Sequence, residues 1–266
     1  KKNLQKKKPF FSIITVVKND EQNIIKTIKS VHNQSFKDFE HIVIDGKSTD
    51  NTLKKILHNK KIDFLISEKD DGIYFAMNKG LKICKGKVIL FVNSGDIITK
   101  NALKIVHKKF VNSNNDFVFG TVRRHYVNDT ILKYGFNVKK LHYNFDFATS
   151  HSTGFFLKKK FYSLLGNFDT KYKCSADYDI YYKLFIKKKL IGSSTEKNQI
   201  IGIVSSGGFS SKFGFLNGLF EECKIRFNNG QNFFIVLIIL INNLIKKFFK
   251  VFFNIYNAKE INQKNY

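Results

Sequence analysis

The sequence has no tryptophan, one proline, one methionine and three cysteines in 266 residues. The lone proline, Pro9, precedes the first apolar run, so no ring breaks a later helix or central strand. Cys84, Cys174 and Cys223 lack the paired spacing of a zinc site, and an odd number cannot all pair. That fits buried, inert thiols in a reducing cytosol. Residues 1–8 are basic but lead into no apolar core with a cleavage site, so no signal peptide is expected. Long hydrophobic runs are missing too. The longest, FFIVLIILI at 233–241, is far short of the roughly 20 residues a membrane-spanning helix needs. No internal repeat is visible. The 29 phenylalanines among many Ile, Lys and Asn read as codon bias rather than chemistry.

Acidic residues are scarce as well, 21 against 46 basic ones, for a formal charge of +25. Such a charge attracts nucleic acid, anionic lipid or phosphate-bearing substrates. The lysines are scattered and no nucleic-acid motif occurs, so no nucleic-acid partner is expected. With 43% hydrophobic and 25% charged residues the chain can bury a core, and its length fits one large domain plus a short appendage.

Apolar runs alternate with helical patterns through the first half. FSIITVV at 11–17 reads as a strand buried on both faces. Ile24, Ile25, Ile28 and Val31 then recur at helical spacing. Further strands are expected at 40–45, 63–67, 87–93 and 116–122. Between them come helices carrying Leu53, Ile56 and Leu57, then Ile73, Met77 and Leu81, then residues 101–110. Ser48 or Thr49 is expected to cap the first of these. This order implies an α/β fold with a mainly parallel sheet and helices on both faces. Beyond it lie an expected hairpin at 123–135, a loop at 137–150, strands at 151–157 and 200–204, and a helix at 177–187 with Ile180, Leu184 and Phe185 inward. The segment 211–266 reads either as a helix packed on the domain or as a basic amphipathic helix on an anionic membrane surface.

In open α/β sheets ligands bind beyond the carboxyl ends of the strands. Those ends carry Lys18-Asn19-Asp20, Asp45-Gly46-Lys47-Ser48-Thr49-Asp50, Glu68-Lys69-Asp70-Asp71 and Asn93-Ser94-Gly95-Asp96. Any one could be an ordinary turn; together they line one crevice. The loop VVKNDEQN after the first strand is neither glycine-rich nor basic, which argues against a nucleotidyltransferase.

SIITVVKN, IDGKSTDNT, DDGIYFAMNKG and VNSGD, in this order, resemble the family 2 glycosyltransferases of GT-A fold, with GNFDTKYKCSADYDIYYKL resembling their acceptor side. The resemblance runs from residue 10 to 209. It divides the chain into a basic tail (1–9), a GT-A domain (10–210) and a C-terminal helical segment (211–266) that touches the membrane in one of the two readings. It implies transfer of a sugar, with inversion, from a nucleotide diphosphate donor such as a UDP-sugar. The acceptor would be a lipid-linked or surface glycan, at the cytoplasmic side of the cell envelope. Asp96 would hold Mn²⁺ or Mg²⁺ on the diphosphate, and Asp177 would be the general base, with Asp179 as fallback. Asn19, Asp45, Asp70, Tyr74, Asn78 and Asn93 would bind the donor. His151, Gly207 and Gly208 would meet the acceptor or the phosphates. Asp50 would steady the following helix. A helix N-terminus would lower the pKa of Asp177 and desolvation would raise it. Lys18, Gly46, Phe75 and Gly95 depart from the family pattern, replacing an aromatic and three acids. Gly46 and Gly95 support a rival expectation, a non-catalytic membrane-associated scaffold of the same fold.

Overall fold

Every residue of β1 (Phe11–Val17) is buried, as a continuous apolar run requires when both faces of a sheet are covered. In the computed structural model, which describes residues 8–59, 61–126, 129–143, 151–205 and 213–263, β1 lies inside a seven-stranded sheet. It pairs in parallel with β2 (Phe39–Asp45) on one side and β4 (Val88–Phe91) on the other. β3 (Phe64–Ser67) extends the parallel set beyond β2. Side chains alternate across this sheet. Ile14 and Val16 face a core built with α3 (Ile73–Ile83), where Tyr74, Met77 and Leu81 are buried. Phe11 and Ile13 face the opposite core, closed by Val31 of α1 (Ile24–His32) and by Ala102, Leu103 and Val106 of α4 (Ala102–Val111). The layered architecture expected from the residue pattern is therefore present.

α2 (Thr52–Leu57) buries Ile56, while Leu57 stays exposed. Its expected caps are engaged elsewhere: the Ser48 hydroxyl donates to Asp45, and Thr49 bonds Asn19. Asp50 takes the capping task instead, accepting the Thr52 N–H at 2.9 Å.

The expected strand at 116–122 is two strands in two sheets. β6 (Phe117–Phe119) joins the large sheet, whereas β7 (Thr121–His125) joins a small sheet ordered β5-β11-β7-β8, with β5 (Ile97–Ile98), β8 (Thr130–Lys133) and β11 (Ile200–Ser205). The break falls at Gly120, where a Cβ would come within 2.6 Å of the Ile201 side chain. β7 and β8 form the expected antiparallel hairpin. The loop expected at 137–150 contains a helix, α5 (Val138–Tyr143). The strand expected from 151 starts at 155, after a 3-10 turn; β9 (Phe155–Lys158) runs antiparallel between β4 and β6. α6 (Lys159–Leu165) follows, then α7 (Ala176–Tyr182), which continues as a π-helical turn to Lys187. Ile180, Leu184 and Phe185 point inward there as expected. β10 (Gly192–Ser194) completes the large sheet beside β6. Two helices end the chain: α8 (Phe215–Asn228) packs on α7, and α9 (Phe233–Gln263) packs its first turns on α8.

Candidate functional site

Because β1, β2, β3 and β4 are parallel, the loops leaving their carboxyl ends share one edge of the sheet. They border a cleft of about 910 Å³ whose lining includes Asn19, Asp70, Asn93, Asp96, Tyr74 and Asp177. The two acids expected to do the chemistry thus face one space.

The turn after β4 is pinned from several sides. Ser94 donates to Asp20 Oδ2 at 2.6 Å. The Gly95 N–H donates to Thr27 Oγ1 at 3.0 Å, and that hydroxyl donates to the Asp96 carbonyl at 2.8 Å. Gly95 has φ of +94°, a left-handed backbone where an acidic side chain would be strained. That is a physical reason for a glycine here. Asp96 is 7% exposed, and its Oδ2 accepts the Thr153 hydroxyl at 2.6 Å. Burial pushes its carboxyl up to about 7, against the Thr153 bond and the positive charge of Arg124. His151 Nδ1 lies 3.8 Å from the same oxygen and accepts the Thr153 N–H. Burial, helped by Arg124, holds this histidine down to about 4, so the ring is neutral near pH 7.

Asn19 adopts φ of +51° and ties two loops together, its N–H donating to Ser48 Oγ and its Oδ1 accepting the Thr49 N–H, both at 2.8 Å. Asn93 Nδ2 donates to Ser152 at 3.2 Å, while its Oδ1 is buried without a hydrogen-bond partner among the described residues. Asp70 is paired with Lys79, which also meets Glu68 at 2.9 Å. Asp45 and Asn78 are not among the residues that line the cleft. The buried Asp45 carboxylate is taken up by the Ser48 N–H and hydroxyl and by the Ser67 hydroxyl, 2.7 Å away. Asn78 clamps the Phe168 backbone, donating to its carbonyl at 2.8 Å and accepting its N–H at 3.1 Å. Gly207 and Gly208 lie outside the described residues.

On the opposite wall, Asp177 Oδ1 accepts the Tyr178 N–H at 2.9 Å and the Tyr74 hydroxyl at 3.2 Å, the latter shared with the Cys174 carbonyl. Burial outweighs these bonds and lifts the carboxyl to about 6. Between the two opposing influences seen in the sequence, desolvation wins. Asp179 turns away from the cleft: it is buried and holds Lys183 at 2.6 Å and Asn229 at 2.8 Å.

Two acids of this wall escaped the sequence reading because they sit in the segment assigned to a C-terminal appendage. Glu221 of α8 accepts the N–H groups of Lys173, Cys174 and Ser175 at 2.7, 2.9 and 3.0 Å, fixing the approach to Asp177. Glu222 lines the cleft, and burial together with the charge of Asp177 lifts it to about 8. The signal was present in the sequence: Leu219, Glu222, Cys223 and Arg226 share one helical face. Among the described residues no three His, Cys, Asp or Glu side chains cluster as a ready-made metal site.

The profile of "Glycosyl transferase family 2" matches residues 12–176. An Escherichia coli protein named UDP-Glc:alpha-D-GlcNAc-diphosphoundecaprenol beta-1,3-glucosyltransferase WfgD is 34% identical over 111 residues, covering 41% of this chain and 44% of that protein. The chain thus spans less than half of that relative's length. A PGL/p-HBAD biosynthesis glycosyltransferase of Mycobacterium bovis is 26% identical over 191 residues, 69% of this chain and 72% of its own. Among solved structures, S. aureus TarS 1-349 in complex with UDP-GlcNAc superposes with a TM-score of 0.66 at 18% identity, over 81% of this chain and 64% of that one. The mannosyltransferase PcManGT from Pyrobaculum calidifontis, in complex with GDP-Man and Mn²⁺, gives 0.63 at 13% identity, over 85% and 65%. With its profile match spanning more than half of its length and its fold superposing on these structures, the chain belongs to glycosyl transferase family 2 and has the GT-A fold.

Proposed function

We propose that this protein transfers a sugar from a nucleotide diphosphate donor, a UDP-sugar, to a hydroxyl of a glycan or lipid-linked acceptor, with inversion at C1. The observation that carries this reading is the common cleft of Asp96 and Asp177. Asp177 takes the acceptor proton on Oδ2, the oxygen not held by Tyr74 and Tyr178, as the hydroxyl oxygen attacks C1. The bond from C1 to the diphosphate breaks as the new one forms, and the diphosphate leaves with the electron pair. Tyr74 holds the other Asp177 oxygen, so the base is oriented before the acceptor arrives. The unpartnered Asn93 Oδ1 is a natural acceptor for a donor hydroxyl. Two solved relatives were captured with UDP-GlcNAc and with GDP-Man plus Mn²⁺, and the E. coli relative's name specifies a lipid-diphosphate acceptor, which supports the substrate classes.

Asp96 suits Mn²⁺ or Mg²⁺ as the single protein carboxylate in a set completed by diphosphate oxygens and water. Its carboxyl is buried and borders the open cleft, where a divalent cation would offset the cost of burying its charge. Bound there, such a cation neutralises the charge that builds on the leaving diphosphate. The Thr153 hydroxyl keeps the carboxylate in place.

Transfer assays with Asp177→Asn test the base. Turnover should fall roughly 10²–10⁴-fold with donor affinity nearly intact. Turnover equal to the parent protein's would contradict the assignment.

A further inference from the structure

Helix α8 has two faces with opposite tasks. One places Glu221 on the loop at 173–175 and Glu222 in the cleft. The other leaves Phe220, 54% exposed, open to solvent. α9 continues this second face. Val236 and Ile239 pack inward, whereas Phe234, Ile238 and Phe248 are 70%, 66% and 66% exposed. From Leu244 to Phe249 every side chain is exposed, including Lys246 and Lys247. Monomeric soluble proteins rarely leave so continuous an apolar face uncovered. No described helix is long and apolar enough to cross a membrane.

We propose that the exposed face of the α8–α9 hairpin docks on an anionic lipid surface. Charge selects this occupant. Among the described side chains of the two helices the acidic ones are Glu221 and Glu222, and both are turned to the site. Lys246 and Lys247 stand among the exposed phenylalanines, with Lys247 Nζ 5.3 Å from the Phe215 ring. Phenylalanines insert at the acyl boundary while lysines meet lipid phosphates, the pattern of an interfacial helix. A second copy would bring the same lysines of two chains of charge +25 face to face. Docking also suits the chemistry: the helix that lies on the lipid lines the cleft through Glu222, which keeps the site at the surface where a lipid-linked acceptor resides. That last step rests on the transferase reading; docking itself does not.

The test is co-sedimentation of the full chain with phosphatidylcholine vesicles, with and without about 30% phosphatidylglycerol. The protein should pellet with the anionic vesicles and be released by salt. Phe234→Glu combined with Phe248→Glu should lower partitioning at least about tenfold, with circular dichroism unchanged because both sites are exposed. Lys246→Glu combined with Lys247→Glu should weaken only the anionic-vesicle binding. The proposal is overturned if the parent stays in the supernatant, or if the phenylalanine variant pellets equally well. A parent dimer that Phe248→Glu splits, without vesicle binding, would assign the face to a second copy and overturn it too. UDP-sugar binding in solution is measured in parallel. Vesicle binding without nucleotide binding would leave docking standing and remove the transferase reading.

Discussion

Asp177 and Glu222 lie in the same cleft, yet burial leaves them in different states at neutral pH, one lifted to about 6 and the other to about 8. Asp177 is then largely ionised, able to accept a proton, while Glu222 is largely protonated and adds little repulsion. A base works only when deprotonated, so kcat, measured with donor and Mn²⁺ saturating so that Asp96 is already engaged, should climb as pH rises through about 6 and level off above it. A profile flat from about pH 5 to about pH 7.5 would rule out Asp177 as the titrating base. That Asp96 and Asp177 would face one cleft was legible in the sequence because each lies in a segment whose order and spacing resemble the family. The hydrogen bonds that Ser48 and Ser67 give to Asp45 were not legible, because hydroxyl partners 3 and 22 residues away are not visible as such in a strand-end motif. Glu222 was missed although it shares a helical face with Leu219 and Cys223, because what that face meets is fixed only when α8 packs on α7.

Elements built from local pattern were readable. β1 and β4 are apolar runs with buried neighbours on both sides, and the spacing of Ile24, Ile28 and Val31 marks α1. Elements set by distant contacts were not. The break at Gly120 depends on Ile201, some 80 residues on, and the role of α8 depends on the loop at 173–175. The second dependence is testable. Glu221→Ala leaves three N–H groups without their carboxylate, a loss of about 1–3 kcal/mol, read as a drop of a few degrees in Tm. Glu221→Gln, which keeps one acceptor oxygen, should recover part of it. An unchanged Tm in the alanine variant would show that water or backbone satisfies these groups equally well.

At the scale of the whole molecule, the charge of +25 narrowed the partners to polyanions but could not choose among them, because charge acts at range and carries no geometry. The fold supplies the choice. Parallel strands converge on a cleft between a buried carboxylate on the β4 turn and a second on α7, the two walls on which the proposed transfer rests. That two-wall arrangement is tested most directly by calorimetric titration of UDP-sugars, with and without Mn²⁺, into the parent chain, Asp96→Ala and Asp177→Asn. Mn²⁺-dependent affinity should be present in the parent, lost in Asp96→Ala and kept in Asp177→Asn. Equal Mn²⁺-dependent affinity in the parent and in Asp96→Ala would contradict the account.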